Sequence, residues 1–347
     1  MNDYRAVGGD FASDAELLSP LFLTGGSGYL GRNLIRHFVA KSFEVIAPVR
    51  SQTAADTVRA LGARPIIGQL ASPVVGDAMK GCRALVHAAA HTSHGPETPE
   101  HVAVNVEGTR AIFTAARQAG IRAVHVSTDS VLLDGQALVD VDERRAMPAR
   151  FPGAYSRTKA EAERIVRMLC GEGLEVAIVR PRFVWGRDDT TALPILTHAA
   201  RSGQMAWIDG GEYLTSATHV ANACHGIELA LLRGRTGEAY FITDGEPLPF
   251  RHFVSRLLET QGIAPPEKKV PSWLVRTVAC AGEAAARLSG GRIKPPVTLQ
   301  DLATMAVEVT LDITKARREL GYEPVVSVEE GMAELKRLAS SGAGQQK

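Results

Sequence analysis

From Leu21 onward, short apolar runs alternate with longer stretches in which apolar residues recur every three or four positions. The runs Leu21–Thr24, Glu44–Val49, Arg64–Ile67, Ala84–His87, Arg122–Ser127 and Glu175–Arg180 are four to six residues long and mostly aliphatic, which predicts buried strands. Tyr29–Lys41, Ala54–Leu61, Pro99–Ala119 and Tyr155–Cys170 carry the helical period between them. Strand and helix in alternation predict an α/β protein with a doubly wound parallel sheet, the helices serving as crossovers. After Pro181 the alternation loosens, and the proline pairs 265–266 and 295–296 punctuate the last third. That part reads as a smaller, mostly helical C-terminal lobe.

Composition narrows the partners. Among 347 residues, 39 Lys and Arg face 38 Asp and Glu, and aromatic residues make up 5%. A net charge of +1 gathers no phosphate backbone, and so few rings offer bases little to stack on; nucleic acid is not expected. No uncharged apolar run approaches the roughly 18 residues of a membrane span. Asp3, Arg5, Asp10, Asp14 and Glu16 stand where a secretion signal needs an apolar stretch, so the expected location is the cytoplasm. Cys82, Cys170, Cys224 and Cys280 are scattered, which indicates neither a disulfide framework nor a metal site.

The first strand runs straight into Thr24-Gly25-Gly26-Ser27-Gly28-Tyr29-Leu30-Gly31 and then a helix. Gly25 permits the tight turn, Gly28 lets backbone approach a pyrophosphate, and Gly31 lets the helix pack closely on the sheet. The helix N-terminus then faces the phosphates. Ser27, Tyr29 and Leu30 complete this loop. An Asp or Glu about 20 residues further on would bind a free ribose 2′-hydroxyl. The chain offers Val49-Arg50-Ser51 there. A guanidinium cannot accept from a hydroxyl but can pair with a 2′-phosphate, so NADP is favoured over NAD. An exposed loop arginine would look the same in sequence.

The fifth strand ends in Ser127-Thr128-Asp129-Ser130, and Tyr155-Ser156-Arg157-Thr158-Lys159 opens a later helix. The four-residue spacing puts Tyr155 and Lys159 on one helical face. A neighbouring ammonium favours the phenolate over a phenol of pKa about 10, so Tyr155 reads as a proton-exchanging group with Thr128 holding the substrate oxygen. Tyr-x-x-x-Lys alone is also a common exposed pair.

The glycine turn, Val86-His87-Ala88-Ala89-Ala90, Asn105-Val106-Glu107-Gly108-Thr109, Ser127-Thr128, Tyr155-x-x-x-Lys159 and Arg180-Pro181-Arg182-Phe183-Val184-Trp185-Gly186 together resemble the extended short-chain dehydrogenases/reductases, from Leu21 to about Leu338. Pro295-Pro296-Val297-Thr298, Leu311-Asp312-Ile313-Thr314-Lys315-Ala316 and Glu319-Leu320-Gly321-Tyr322-Glu323-Pro324 resemble the 3β-hydroxysteroid dehydrogenase/sterol 3-dehydrogenase branch. The resemblance implies a Rossmann-type sheet, a catalytic set of Thr128, Tyr155 and Lys159, and a nicotinamide cofactor, NADPH or NAD. Cofactor contacts are implied at Gln69, Leu70, Ala88, Ala89, Ala90, Ser127, Tyr155, Lys159, Pro181 and Val184. Gln69 departs from the family's usual Asp. Asn105 reads as a structural link between strand and helix.

Residues 21–190 and 217–245 are therefore assigned to the dinucleotide-binding domain and 191–216 and 246–338 to the substrate lobe, with 1–20 a leader and 339–347 a flexible tail. The expected reaction is NADP(H)-linked interconversion of a secondary alcohol and a ketone on a sterol, steroid or long-chain 3-oxo acid. Asp129, Ser130, Arg182, Phe183 and Trp185 are the expected substrate contacts. The expected cleft is apolar, lined by Phe183, Trp185 and residues of 190–215 and 270–300. The rival is a nucleotide-sugar epimerase or dehydratase, favoured by Asp129 and by Arg182, Arg187 and Arg201 but disfavoured by Ser130, which stands where a dehydratase places its Glu base. The apolar stripe of Trp273–Leu288 allows peripheral membrane contact, and a homodimer is compatible with the family.

Overall fold

A computed structural model describes residues 17–343 apart from 291; the first sixteen residues of the expected leader and residues 344–347 of the expected tail lie outside the described residues. Seven parallel strands form the main sheet: β1 (Leu21–Thr24), β2 (Val45–Val49), β3 (Arg64–Ile67), β4 (Ala84–His87), β5 (Arg122–Val126), β6 (Val176–Pro181) and β7 (Ala239–Ile242). Their spatial order is β7-β6-β5-β4-β1-β2-β3, so the order reverses between β1 and β4. Every side chain of β1, β2, β4 and β6 is buried, which is why these strands read as continuous apolar runs without alternation.

The crossover helices follow the expected spans except for Pro73–Met79, between β3 and β4, where none was expected. Helix α1 (Tyr29–Ala40) buries Leu34, Ile35 and Phe38 on one side of the sheet, and α2 (Gln52–Ala60) is capped by Ser51, whose side chain accepts from the Ala54 amide. The expected helix over 99–119 is a composite: Pro99–Val102, a π-helical turn at Ala103–Gly108, then Thr109–Ala119. Such a widened turn often accompanies a side chain with a special task. Asn105 sits in it, accepting from the His91 amide at 2.7 Å and donating to the His91 carbonyl and to Thr158 Oγ1, both at 3.0 Å. It thus ties the chain after β4 to helix α3 (Ala154–Cys170).

Under the sheet centre, His87 and His125 stack with ring centroids 5.6 Å apart. Thr109 spends its hydroxyl proton on the Asn105 carbonyl at 2.6 Å, so His87 Nε2 donates to Thr109 Oγ1 at 3.0 Å and Nδ1 accepts from Thr24 Oγ1 at 2.7 Å. His125 has no partner at either nitrogen among the described residues.

The C-terminal part is mostly helical, with short strands that the apolar pattern does not show. A small sheet joins Leu138–Val141, Val309–Leu311, Leu214–Thr215 and Leu248–Pro249, so a strand from the first half of the chain is stitched into the second. The core of this part gathers Trp185, Leu196, Trp207, Phe250, Phe253 and Met332. The last helix runs over Val328–Ala343, so the first residues of the expected flexible tail continue a helix instead.

Candidate active site

In a doubly wound sheet, ligands gather at the carboxyl ends of the strands near the point where strand order reverses. The turn after β1 is there. Gly25 adopts φ +76°, and a Cβ on it would lie 2.7 Å from the Ala88 carbonyl carbon and the Ala89 amide. A Cβ on Gly31 would lie 2.0 Å from the Gly25 carbonyl oxygen, so this position is demanded by the packing of α1 itself. Gly28 is different. It is exposed, and a Cβ there would meet only the Gly25 carbonyl at 3.2 Å. Within the protein a Cβ at 28 asks the Gly25 carbonyl to give by only a few tenths of an ångström, whereas a phosphate seated on the α1 N-terminus would exclude it.

The remaining nucleotide-side residues stand around this turn. Ser27 is half-buried, and its carbonyl accepts from Arg32 Nη1 at 2.9 Å. Tyr29 is buried and its hydroxyl has no partner among the described residues, while Leu30 packs against the main core. Ala88, Ala89 and Ala90 leave the end of β4 half-exposed, and the Ala89 amide donates to Thr24 Oγ1 at 3.2 Å. Arg50 follows β2 directly and is exposed; the His91 imidazole's pKa is lowered by burial first, then by His101, with Arg50 a lesser influence. Gln69 is exposed and Leu70 half-buried against Gly108. Pro181 ends β6 opposite Ile242, and Val184 pairs with Thr218.

The proton-handling side chains meet at the end of β5. Thr128 Oγ1 donates to Asp129 Oδ1 and accepts from the Ser130 amide, both at 3.1 Å, so it caps the short turn Asp129–Leu132. Tyr155, in the first turn of α3, has the Thr128 hydroxyl beside its own. Burial, the largest influence, pushes the Tyr155 phenol up to about 12; Thr128 pulls it down and Asp129 pushes it further up. Lys159, one turn along α3, donates to the Val126 carbonyl at 2.7 Å. Burial lowers its pKa to about 8 against the raising influence of Glu163. The ammonium is thus engaged by the end of β5. Ser127 is also otherwise engaged, its hydroxyl donating to Glu163 Oε2 at 2.8 Å within a buried cluster that includes Arg180.

Three expected substrate contacts are used inside the protein. Arg182 pairs with Asp129 and also donates to Thr215 Oγ1 and, at 2.9 Å, to the Thr304 carbonyl. A carboxylate so paired is not free to expel a leaving group, and the guanidinium is not free to hold a diphosphate. Trp185 departs from the expected cleft lining: it is buried in the C-terminal core, its Nε1 donating to Asp244 Oδ2 at 2.7 Å. Phe183 remains half-buried at the strand end with φ +40°, an uncommon conformation for a bulky side chain, its ring edge-on to Phe250 and Phe253. Ser130 is buried. A cavity of about 700 Å³ opens elsewhere, between α1, residues 219–224 and the last helix, away from Thr128 and Tyr155.

Two side chains that no periodicity singled out complete the centre. The His94 ring lies over Tyr155 with centroids 5.5 Å apart and a 37° tilt. Its Nδ1 donates to Asp301 Oδ1 at 2.8 Å, across 207 positions of sequence. Among the described residues no group of three or more His, Cys, Asp or Glu is arranged to hold a metal, and no helix is long and apolar enough to cross a membrane.

A seven-stranded dinucleotide-type sheet, a glycine turn after β1, and a hydroxyl pair beside a buried lysine at the same sheet edge define an extended short-chain oxidoreductase. The chain belongs to the 3-beta hydroxysteroid dehydrogenase/isomerase family, whose profile matches residues 22–272. It is 46% identical over 325 residues to the 4-hydroxy-2-methyl-3-oxo-4-farnesyl-3,4-dihydroquinoline-1-oxide ketoreductase of Stigmatella aurantiaca, covering 93% of this chain and 97% of the relative. It is 32% identical to the 2-alkyl-3-oxoalkanoate reductase of Stenotrophomonas maltophilia, covering 93% and 99%. The fold is similar to that of a dTDP-glucose 4,6-dehydratase from Streptomyces venezuelae, with TM-score 0.71, 24% identity, and coverage of 94% and 98%.

Proposed function

We propose that this protein is an NADP(H)-dependent oxidoreductase that interconverts a ketone and a secondary alcohol on a large apolar molecule. The observation that carries this reading is the Thr128–Tyr155 hydroxyl pair, with Lys159 one turn away, at the same sheet edge as the exposed Gly28 turn. Gly25, Gly28, Gly31 and the α1 N-terminus would hold the pyrophosphate, Ala88–Ala90 and Pro181–Val184 the nicotinamide side, and Lys159 the ribose hydroxyls. The nicotinamide, when bound, supplies and accepts the redox equivalents.

The chain's own residues handle the proton. With its phenol held near 12, Tyr155 is protonated at neutral pH and serves as an acid toward a ketone oxygen. The Thr128 hydroxyl orients the same oxygen. For the reverse reaction Tyr155 must first lose its proton. A Lys159 turned from the Val126 carbonyl toward the ribose would favour that loss, because its ammonium would approach the phenol.

The substrate reading favours a sterol or steroid 3-hydroxy/3-oxo group, in keeping with the family's description, with long-chain 3-oxo acids as the second choice. The relatives' names carry a common feature. Each places an oxo group at position 3 beside a substituted carbon, farnesyl at 4 in one and alkyl at 2 in the other. We therefore favour a 3-oxo group flanked by a substituted carbon. NADP is favoured over NAD because exposed Arg50, and no carboxylate, follows β2. The division into a dinucleotide-binding domain (21–190 and 217–245) and a substrate lobe (191–216 and 246–338) belongs to the same reading. Helix Ser272–Leu288 exposes Trp273, Leu274, Val278 and Leu288 beside Arg276 and Arg287, which supports peripheral contact with an anionic bilayer. Four free thiols fit a reducing cytoplasm.

The test is turnover of the purified protein with NADPH and NADH against a 3-oxosteroid, a 2-alkyl-3-oxoalkanoate, a prenylated 3-oxoquinoline and dTDP-glucose. Loss of nicotinamide absorbance with a ketone, faster with NADPH, is expected. Conversion of the nucleotide sugar and of none of the ketones would overturn the reading.

A further inference from the structure

The first turn of α3 presents a mechanical problem. Tyr155 is its second residue, and backbone amides in a first turn have no partner within the helix. The N-cap is Gly153, which offers no side chain to accept from them. Left alone, this turn would fray and carry the tyrosine with it.

The missing support comes from the helix Leu299–Met305, almost 150 residues away. Gln300 is fully buried, and its Oε1 accepts from the Ser156 amide at 3.4 Å. The glycine at 153 makes room for it, because a Cβ there would lie 2.9 Å from Gln300 Cβ. The neighbouring Asp301 has one carboxylate oxygen fixed by the Thr298 amide and hydroxyl at 2.9 and 2.7 Å. Its other oxygen holds His94 Nδ1, and the His94 ring lies over Tyr155. Further along the helix, the Thr304 carbonyl accepts from Arg182, whose partner Asp129 adjoins Thr128.

We propose that the helix Leu299–Met305 acts as an external cap that sets the position of Tyr155, with Gln300 and the His94–Asp301 pair as positioning residues. Gln300 fixes the backbone beside the tyrosine, and His94 fixes the ring. The same helix, through Thr304 and Arg182, braces the turn that carries Thr128. The two hydroxyls therefore keep their relation only while this helix is docked. This inference rests on the proposed role of Tyr155.

The experiment is a double-mutant cycle between His94→Ala and Tyr155→Phe, using whichever ketone in the panel above turns over fastest. His94→Ala is expected to lower kcat by about tenfold or more, since displacement on the ångström scale costs up to about 10²-fold. KM for the cofactor should stay unchanged, and His94→Ala should have no further effect in the Tyr155→Phe background. Gln300→Ala supplies a readout apart from turnover: hydrogen–deuterium exchange of the peptide spanning 153–158 should quicken, while peptides of β1 and α1 keep theirs. Asp301→Asn, which keeps an acceptor for His94, should restore part of the kcat lost in Asp301→Ala. An equal loss from His94→Ala in both backgrounds, or unchanged exchange at 153–158 in Gln300→Ala, overturns the cap. Full activity in Tyr155→Phe alone would instead remove the catalytic reading beneath it.

Discussion

Arg182 Nη1 lies 2.5 Å from Asp129 Oδ2, with the two side chains 1% and 4% exposed. Breaking a buried pair by removing one partner costs about 3–5 kcal/mol, because the survivor is left charged without compensation. Asp129→Asn should lower the free energy of urea unfolding on that scale. Asp129→Leu combined with Arg182→Met should recover much of it. If Asp129→Asn alone leaves stability unchanged, the pair is not a structural brace.

Gly28 and Gly31 should separate in mutagenesis. A Cβ at Gly31 would lie 2.0 Å from the Gly25 carbonyl, so Gly31→Ala is expected to lower the thermal midpoint. At Gly28 a Cβ would meet only the Gly25 carbonyl, at 3.2 Å, a far milder contact, so Gly28→Val should fold yet fail to bind cofactor in a calorimetric titration. A Gly28→Val protein that binds as wild type does would move the pyrophosphate elsewhere.

Tyr155→Phe should lose about 10²–10⁴ in kcat while still binding cofactor, the usual scale of general acid–base catalysis. The pH dependence carries a sign. With the phenol held up near 12 by burial, ketone reduction should hold steady through neutrality, and alcohol oxidation should climb as pH rises and phenolate forms. A rate of oxidation that peaks below neutrality would contradict Tyr155 as the proton acceptor.

Arg50→Ala tests the choice of cofactor. Hydrogen bonds to a charged group are worth about 1.5–3 kcal/mol, so NADP should bind roughly ten- to a hundredfold more weakly. Affinity for NAD should barely change. Equal losses for the two cofactors would return Arg50 to the role of a solvated loop residue.

The parts legible in the sequence were those set by local periodicity. Strands β1 to β6 and helices α1 and α3 fall within a residue or two of the apolar runs because a parallel sheet covered on both faces leaves a continuous apolar signature. The Gly25–Gly31 turn was legible for a similar reason: three close-spaced backbone demands fall in one short segment. The supports of Tyr155 were not. His94 lies in an irregular loop, and Asp301 and Gln300 in a seven-residue helix, and the contacts between them span 144 to 207 positions. No pattern within one segment encodes such a meeting. Trp185 was misjudged for a related reason. Val184–Trp185 is only two residues long, too short to carry an alternation from which the burial of Trp185 could be read.

The stacked histidines beneath the sheet have a consequence for life in mild acid. Burial, helped by Lys159, drives His87 down to about 3 and His125 well below its ordinary value. An unfolded chain takes up protons at both rings near pH 6.5, whereas the folded protein refuses them. Their stabilising contribution is therefore whole above about pH 6.5 and drains away as pH falls toward 3. Exposure to an acidic compartment would act on this protein as a denaturant from the inside, and replacing His125 with Phe should blunt that response in unfolding curves measured from pH 7 down to 4. A ring whose nitrogens find no partner among the described residues is expected to make the heart of the sheet the part of this protein that yields first to acid.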